Sequence, residues 1–196
     1  GTPHLSAYHL IYEEGTALTR LVELGRVKPV SEEDSLAFFE LLIDRMQGAG
    51  YEHYEISNFA LPDCYARHNT GYWQGVPYLG FGPSAHSYDG KRSRSYNNPS
   101  LSGYTQSLLR GERLYTEEHL SPEELQHEYI MTRLRTQWGI SIMAYRERFG
   151  EVATSRLRQL AQPFIEAGTL ALQGDKLHLT RSGIFVSDGI IAELFD

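Results

Sequence analysis

Residues 51–88 read YEHYEISNFALPDCYARHNTGYWQGVPYLGFGPSAHSY, and the reading of this stretch places the rest of the 196-residue chain. It holds three of the eight histidines (His53, His68, His86), the single cysteine Cys64, one of the two tryptophans, Trp73, and the close glycines Gly80 and Gly82. Tyr51 to Phe59 alternates at period two, which predicts one strand: Tyr51, His53, Glu55, Ser57 and Phe59 share a face, and Glu52, Tyr54, Ile56 and Asn58 the other. Polar groups fall on both faces, so the strand is either wetted or partnered. A turn is expected at Leu61-Pro62-Asp63.

His68-Asn69-Thr70-Gly71-Tyr72-Trp73 puts an imidazole, a carboxamide and two amphipathic aromatics within six positions. Such a set can grip a flat conjugated ligand, with a neutral ring nitrogen for a metal at its centre and rings for stacking. The plainer reading has His68 and Asn69 bridging a loop and Trp73 in the core. Pro62 and Gly71 favour a loop here. Leu79-Gly80-Phe81-Gly82-Pro83-Ser84-Ala85-His86-Ser87 is glycine-dense, which lets backbone approach another group closely. As a nucleotide motif it fails: the third glycine of GxGxxG is missing and Pro83 removes a donor.

HNxxYW at His68, Asn69, Tyr72 and Trp73, followed by YLGFGPSAHS and preceded by GYEHYEISNFA, resembles the oxygen-independent coproporphyrinogen III oxidase-like family of radical S-adenosylmethionine (SAM) proteins. Within it, the haem chaperone branch is the more similar. The resemblance implies an α+β chain: the terminal portion of a partial (β/α) radical-SAM barrel over residues 1–112, then a winged-helix-like helical module over 113–196. It covers the C-terminal half of such a protein. It implies haem binding at His68, Asn69, Tyr72 and Trp73, with His68 on the iron and Gly80, Gly82, Ser84 and His86 helping to wall the cavity. His86 and Cys64 are alternative ligands, and Arg67 or the run Lys91 to Arg94 would meet propionates. Haem or a porphyrinogen is the expected small-molecule partner, and haem-acceptor proteins are the expected macromolecular ones. The competing activity is oxidative decarboxylation of coproporphyrinogen III.

Composition narrows the classes. A cluster held wholly by this chain's thiolates needs about four cysteines and the chain has one, so the [4Fe–4S] cluster and SAM of the full-length family are expected outside these residues, which carry no catalytic group of their own. His53, Cys64, His68 and His86 match no zinc spacing. Ser84-Ala85-His86 lacks the elbow of a serine hydrolase. A formal charge of −7 opposes non-specific nucleic-acid binding, and Lys91-Arg92-Ser93-Arg94 after Asp89-Gly90 reads as a solvated hairpin tip. No apolar run approaches the roughly 20 residues of a membrane span, and no signal peptide is recognisable, so cytoplasm is the expected location.

Outward from the stretch, the opening Pro3 to Ile11 reads as a strand and Thr16 to Leu24 as a short helical or irregular stretch. Ser31 caps a helix with Leu36, Phe39, Leu42, Ile43 and Met46 at helical spacing. Asp89-Gly90 predicts a hairpin returning over Ser93 to Tyr96, followed by a helix over Leu101 to Leu109. A domain seam is expected near Arg113 to Ser121. Beyond it Ser121-Pro122-Glu123-Glu124 opens a helix running to Gly139; two more follow, divided at Gly150. A hairpin around Gln173-Gly174-Asp175 and a last helix, Ser182 to Phe195, complete the winged-helix pattern. Arg156 and Arg158 against Glu151 and Glu166 are thin for a DNA-reading helix. The helices are expected to pack over the site stretch as a lid or to cap the open barrel.

Overall fold

The structure is a computed structural model that describes residues 1–195. The chain divides into two compact units, Gly1–Tyr65 and Ala66–Asp196.

In the first unit β1 (His4–Ser6) is followed by α1 (Ala17–Glu23) and α2 (Glu32–Gly48). Ser31 and Thr16 cap these helices through their side-chain oxygens, Ser31 as its position predicts. The single strand expected over Tyr51 to Phe59 is a tight hairpin, β2 (Glu52–Glu55) and β3 (Asn58–Ala60). The register slips between His53 and Glu55, and β1 pairs antiparallel on the far side of β3. The physical reason lies in the polar groups that make both faces look wet. Glu55 accepts from the Ser57 amide and from the Asn58 carboxamide, and Ser6 donates to Asn58 at 2.6 Å, so the chain turns around its own buried network. His53 stacks on Phe59 at 4.3 Å and meets Phe39 edge-on, which joins α2 to the sheet. Tyr54 and Phe59 are fully buried.

The second unit begins with α3 (Arg67–Trp73), where a loop is expected. A three-stranded antiparallel sheet follows: β4 (His86–Tyr88), β5 (Ser93–Asn97) and, after α4 (Leu101–Leu109), β6 (Tyr115–His119). The residues where a seam is expected thus form an edge strand paired with the whole of β5. Among the described residues every strand pair is antiparallel, and no barrel closes within this chain.

The winged-helix pattern is present. α5 (Pro122–Leu134) starts with the full capping box of Ser121 and Glu124. It ends at Leu134 rather than Gly139, ahead of β7 (Ile140–Ser141). The next helix, α6 (Ile142–Glu166), is broken at Gly150, whose φ of 87° only glycine adopts readily. The hairpin β8 (Leu170–Gln173) and β9 (Lys176–Leu179) pairs onward to β7 in the order β7-β9-β8. Asp175 in its turn accepts from Ser141 at 2.5 Å and from the Met143 amide at 2.9 Å, fastening the wing to the start of α6. The last helix is two, α7 (Arg181–Phe185) and α8 (Ser187–Glu193). The core gathers Ile130 and Leu134 of α5, Leu157 and Ala161 of α6, Leu170 and Leu177 of the wing, and Ile190 and Ile191 of α8.

Candidate functional site

The short helix α3 positions the HNxxYW residues. Its four-residue spacing puts His68 and Tyr72 on one face and Asn69 and Trp73 on another. The His68 and Tyr72 rings meet edge-on at 4.7 Å, and the Tyr72 hydroxyl lies 3.3 Å from His68 Nε2. That contact is long, so an incoming metal would displace it at small cost. His68 is exposed, Asn69 and Trp73 half-buried. The Arg135 guanidinium sits 5.6 Å from the Trp73 ring, and among the described residues the buried indole Nε1 finds no hydrogen-bond partner. Trp73 is therefore a wall residue, not a core one.

The glycine-rich run is a braced loop. A Cβ on Gly80 would come within 2.1 Å of the His86 carbonyl oxygen, so no larger residue fits this backbone. The buried Asn97 side chain donates to the carbonyls of Gly80 and Gly82 at 3.2 and 3.0 Å and accepts from Arg113 Nε at 2.8 Å. The Gly80 amide donates to Ser87, and the Gly82 amide to the Tyr104 hydroxyl, each at 3.0 Å. Ser84 takes a left-handed backbone, φ 58°. His86 is exposed and packs on Tyr96 at 5.4 Å, on the strand pair. The structure therefore gathers His68, Tyr72 and Trp73 at one place and uses Gly80, Gly82 and Ser84 to shape the loop, while His86 belongs to the sheet.

An aromatic path joins the two parts. Tyr72 meets Tyr78 edge-on at 4.7 Å, and Tyr78 meets Tyr88 at 6.1 Å, where the two backbones also bridge. These rings open onto a groove of about 300 Å³ within the second unit. Its opposite wall comes from α5 and α6: Glu128, Tyr129, Arg133 and Arg148. None of these α5 and α6 residues was legible as a site residue, because only the packing of α5 against α3 brings them there. Arg94 is not at a solvated tip. It is half-buried, paired with Glu128, and lies 5.7 Å from the Tyr88 ring. The hairpin tip itself is built by Asp89, which accepts from the amides of Lys91, Arg92 and Ser93; those bonds hold its carboxyl below the usual range.

Burial pushes the Tyr78 and Tyr88 hydroxyls up. It also pushes the Glu128 carboxyl up, against the pull of Arg94. Among the described residues no three His, Cys, Asp or Glu side chains converge on a metal position. In a haem the macrocycle fills four positions of the iron, so a single imidazole can suffice as the protein's ligand.

The family model for the HemN C-terminal domain matches residues 120–186. The heme chaperone HemW of Mycobacterium tuberculosis is 34% identical over 99% of this chain and 48% of its own length. The chain belongs to the HemN and HemW family. It corresponds to the C-terminal half of these proteins. HemW of Bacillus subtilis is 29% identical over 92% of the chain and 48% of its length. A mitochondrial radical S-adenosyl methionine domain-containing protein 1 of Danio rerio is 33% identical over 70% of the chain. The solved structure of coproporphyrinogen III oxidase (HemN) from Escherichia coli, a radical SAM enzyme, superposes with a TM-score of 0.71 at 17% identity, over 99% of this chain and 48% of that one. The fold expected from the motifs is thus the fold of HemN's C-terminal portion. The chain spans about half the length of the HemW relatives named here.

Proposed function

We propose that this chain is the tetrapyrrole-gripping half of a haem chaperone, which binds haem and passes it to acceptor proteins in the cytoplasm. The observation that carries the reading is the presentation of His68 on α3: an exposed imidazole, backed by Tyr72, beside Trp73 at the rim of an aromatic groove. His68 would hold the iron, while Tyr72 and Trp73 pack the ring. Haem is cargo here, not a resident catalyst. Weak support from a single imidazole suits a ligand that must also leave. The loop Gly80–Ser84, braced by Asn97, would limit the cavity, and His86 would stand further out on the sheet.

The lone, exposed Cys64 does not fit a [4Fe–4S] cluster, so the cluster and SAM belong to the remainder of the family protein. The match over residues 120–186 supports treating 113–196 as the family's winged-helix-like module. No helix among the described residues is long and apolar enough to cross a membrane. The porphyrinogen oxidase is the alternative activity, and the two separate by experiment. A full-length, cluster-loaded protein that binds haemin stoichiometrically and leaves coproporphyrinogen III unchanged fits the chaperone. Turnover of coproporphyrinogen III, with haemin binding insensitive to His68→Ala, fits the oxidase.

A further inference from the structure

The groove beside α3 carries charge that the iron-binding reading does not use. Of its lining side chains Arg94, Arg133 and Arg148 are cationic and only Glu128 is acidic, which leaves two positive charges in a chain of net −7. Arg94 is committed to Glu128. Among the described residues Arg133 and Arg148 have no carboxylate partner: Arg133 reaches the Gln74 carbonyl at 3.4 Å, and both guanidiniums lie against one ring, Tyr129, at 5.3 and 5.4 Å. Arg148 also lies 5.2 Å from the Phe149 ring, and both guanidiniums line the groove, so an anion entering it meets two cations that have no carboxylate on them. The remaining acids near Glu128 are Glu118 and Glu124, outside the lining of the groove.

We infer that Arg133 and Arg148 form a carboxylate subsite that takes the acid-bearing edge of a planar tetrapyrrole whose ring lies on Tyr72 and Trp73. The inference rests on the tetrapyrrole reading above, and it moves the acid contact from the Lys91–Arg94 run to α5 and α6. Size agrees. About 300 Å³ is at the small end of ligand pockets, enough for one edge of a macrocycle and its carboxylate arms and too little for a buried whole. Placement agrees too: Tyr72 both touches His68 and lines the groove with Arg133 and Arg148, so a ligand held at His68 adjoins the groove that carries the arginines.

The test uses iron-free mesoporphyrin IX and its dimethyl ester, titrated into the 196-residue chain and followed by porphyrin fluorescence. Without iron, ligation by His68 plays no part. The expected result is a preference for the diacid of about 10-fold or more, since a charge-assisted hydrogen bond contributes roughly 1.5–3 kcal/mol. The preference should vanish in Arg133→Gln/Arg148→Gln, with the ester binding as before. Arg148 is exposed, so Arg148→Gln alone should fold and lose part of the preference; it decides the matter if the double variant loses its circular dichroism. Equal binding of diacid and ester, or a preference that survives both substitutions, overturns the subsite. A haemin spectrum indifferent to His68→Ala would sink the iron-ligation reading while leaving the diacid preference standing. Binding of neither iron-free porphyrin overturns the subsite and leaves the iron-ligation reading to the haemin titration.

Discussion

Gly80 shows how a motif residue can be indispensable without touching a ligand. Its would-be Cβ meets backbone, the His86 carbonyl oxygen at 2.1 Å, and backbone cannot rotate aside. Gly80→Ala should therefore cost at least about 2 kcal/mol of stability, read as a lower urea midpoint. Asn97→Ala should cost roughly 2 kcal/mol, because it strips two carbonyls of their donor and Arg113 Nε of its acceptor, leaving that guanidinium only its Ser87 and Ser95 contacts. His53 gives a pH dependence. Burial against Phe39 and Phe59 holds its folded-state pKa below the ordinary 6.5. As pH falls through 6.5 the unfolded chain takes up the proton first, so stability is full above 6.5 and is lost toward the lowered folded-state pKa. Amide protection factors over 52–60, taken relative to the intrinsic exchange rate at each pH, should fall in that window, and His53→Leu should flatten the fall. Protection that is equally pH-dependent in the variant would assign the effect to other groups.

Among the elements, those closed by local chemistry were the legible ones. Ser121 and Glu124 announce α5, and Gly150 announces the break in α6, because cap and left-handed backbone are properties of a few adjacent residues. Ser121→Ala should cost about 1 kcal/mol, with Ser121→Thr close to wild type. Elements fixed from afar were not legible. α3 has no capping side chain and a glycine in its middle, so its sequence reads as loop until α5 packs on it. β6 is exposed at all five residues and lacks an apolar alternation; only its register with β5 makes it a strand. The turn between β2 and β3 contains no glycine, and the Glu55–Asn58 network that bends it is buried rather than local in appearance. The same division runs through the site. His68, Tyr72 and Trp73 are visible as one motif, whereas Glu128, Tyr129, Arg133 and Arg148 join them only through tertiary packing.

At the scale of the molecule, residues 66–196 form a compact unit with its own core and the whole of the groove. Expressed alone, they should unfold cooperatively in urea; a broad, featureless transition would show that this core is insufficient. If His68, in this half of the family protein, ligates haem iron, titration of haemin into the 196-residue chain, followed at the Soret band, gives a saturable one-to-one shift that is lost in His68→Ala with circular dichroism unchanged. An identical shift in both proteins would rule out that ligation and move the iron ligand away from α3.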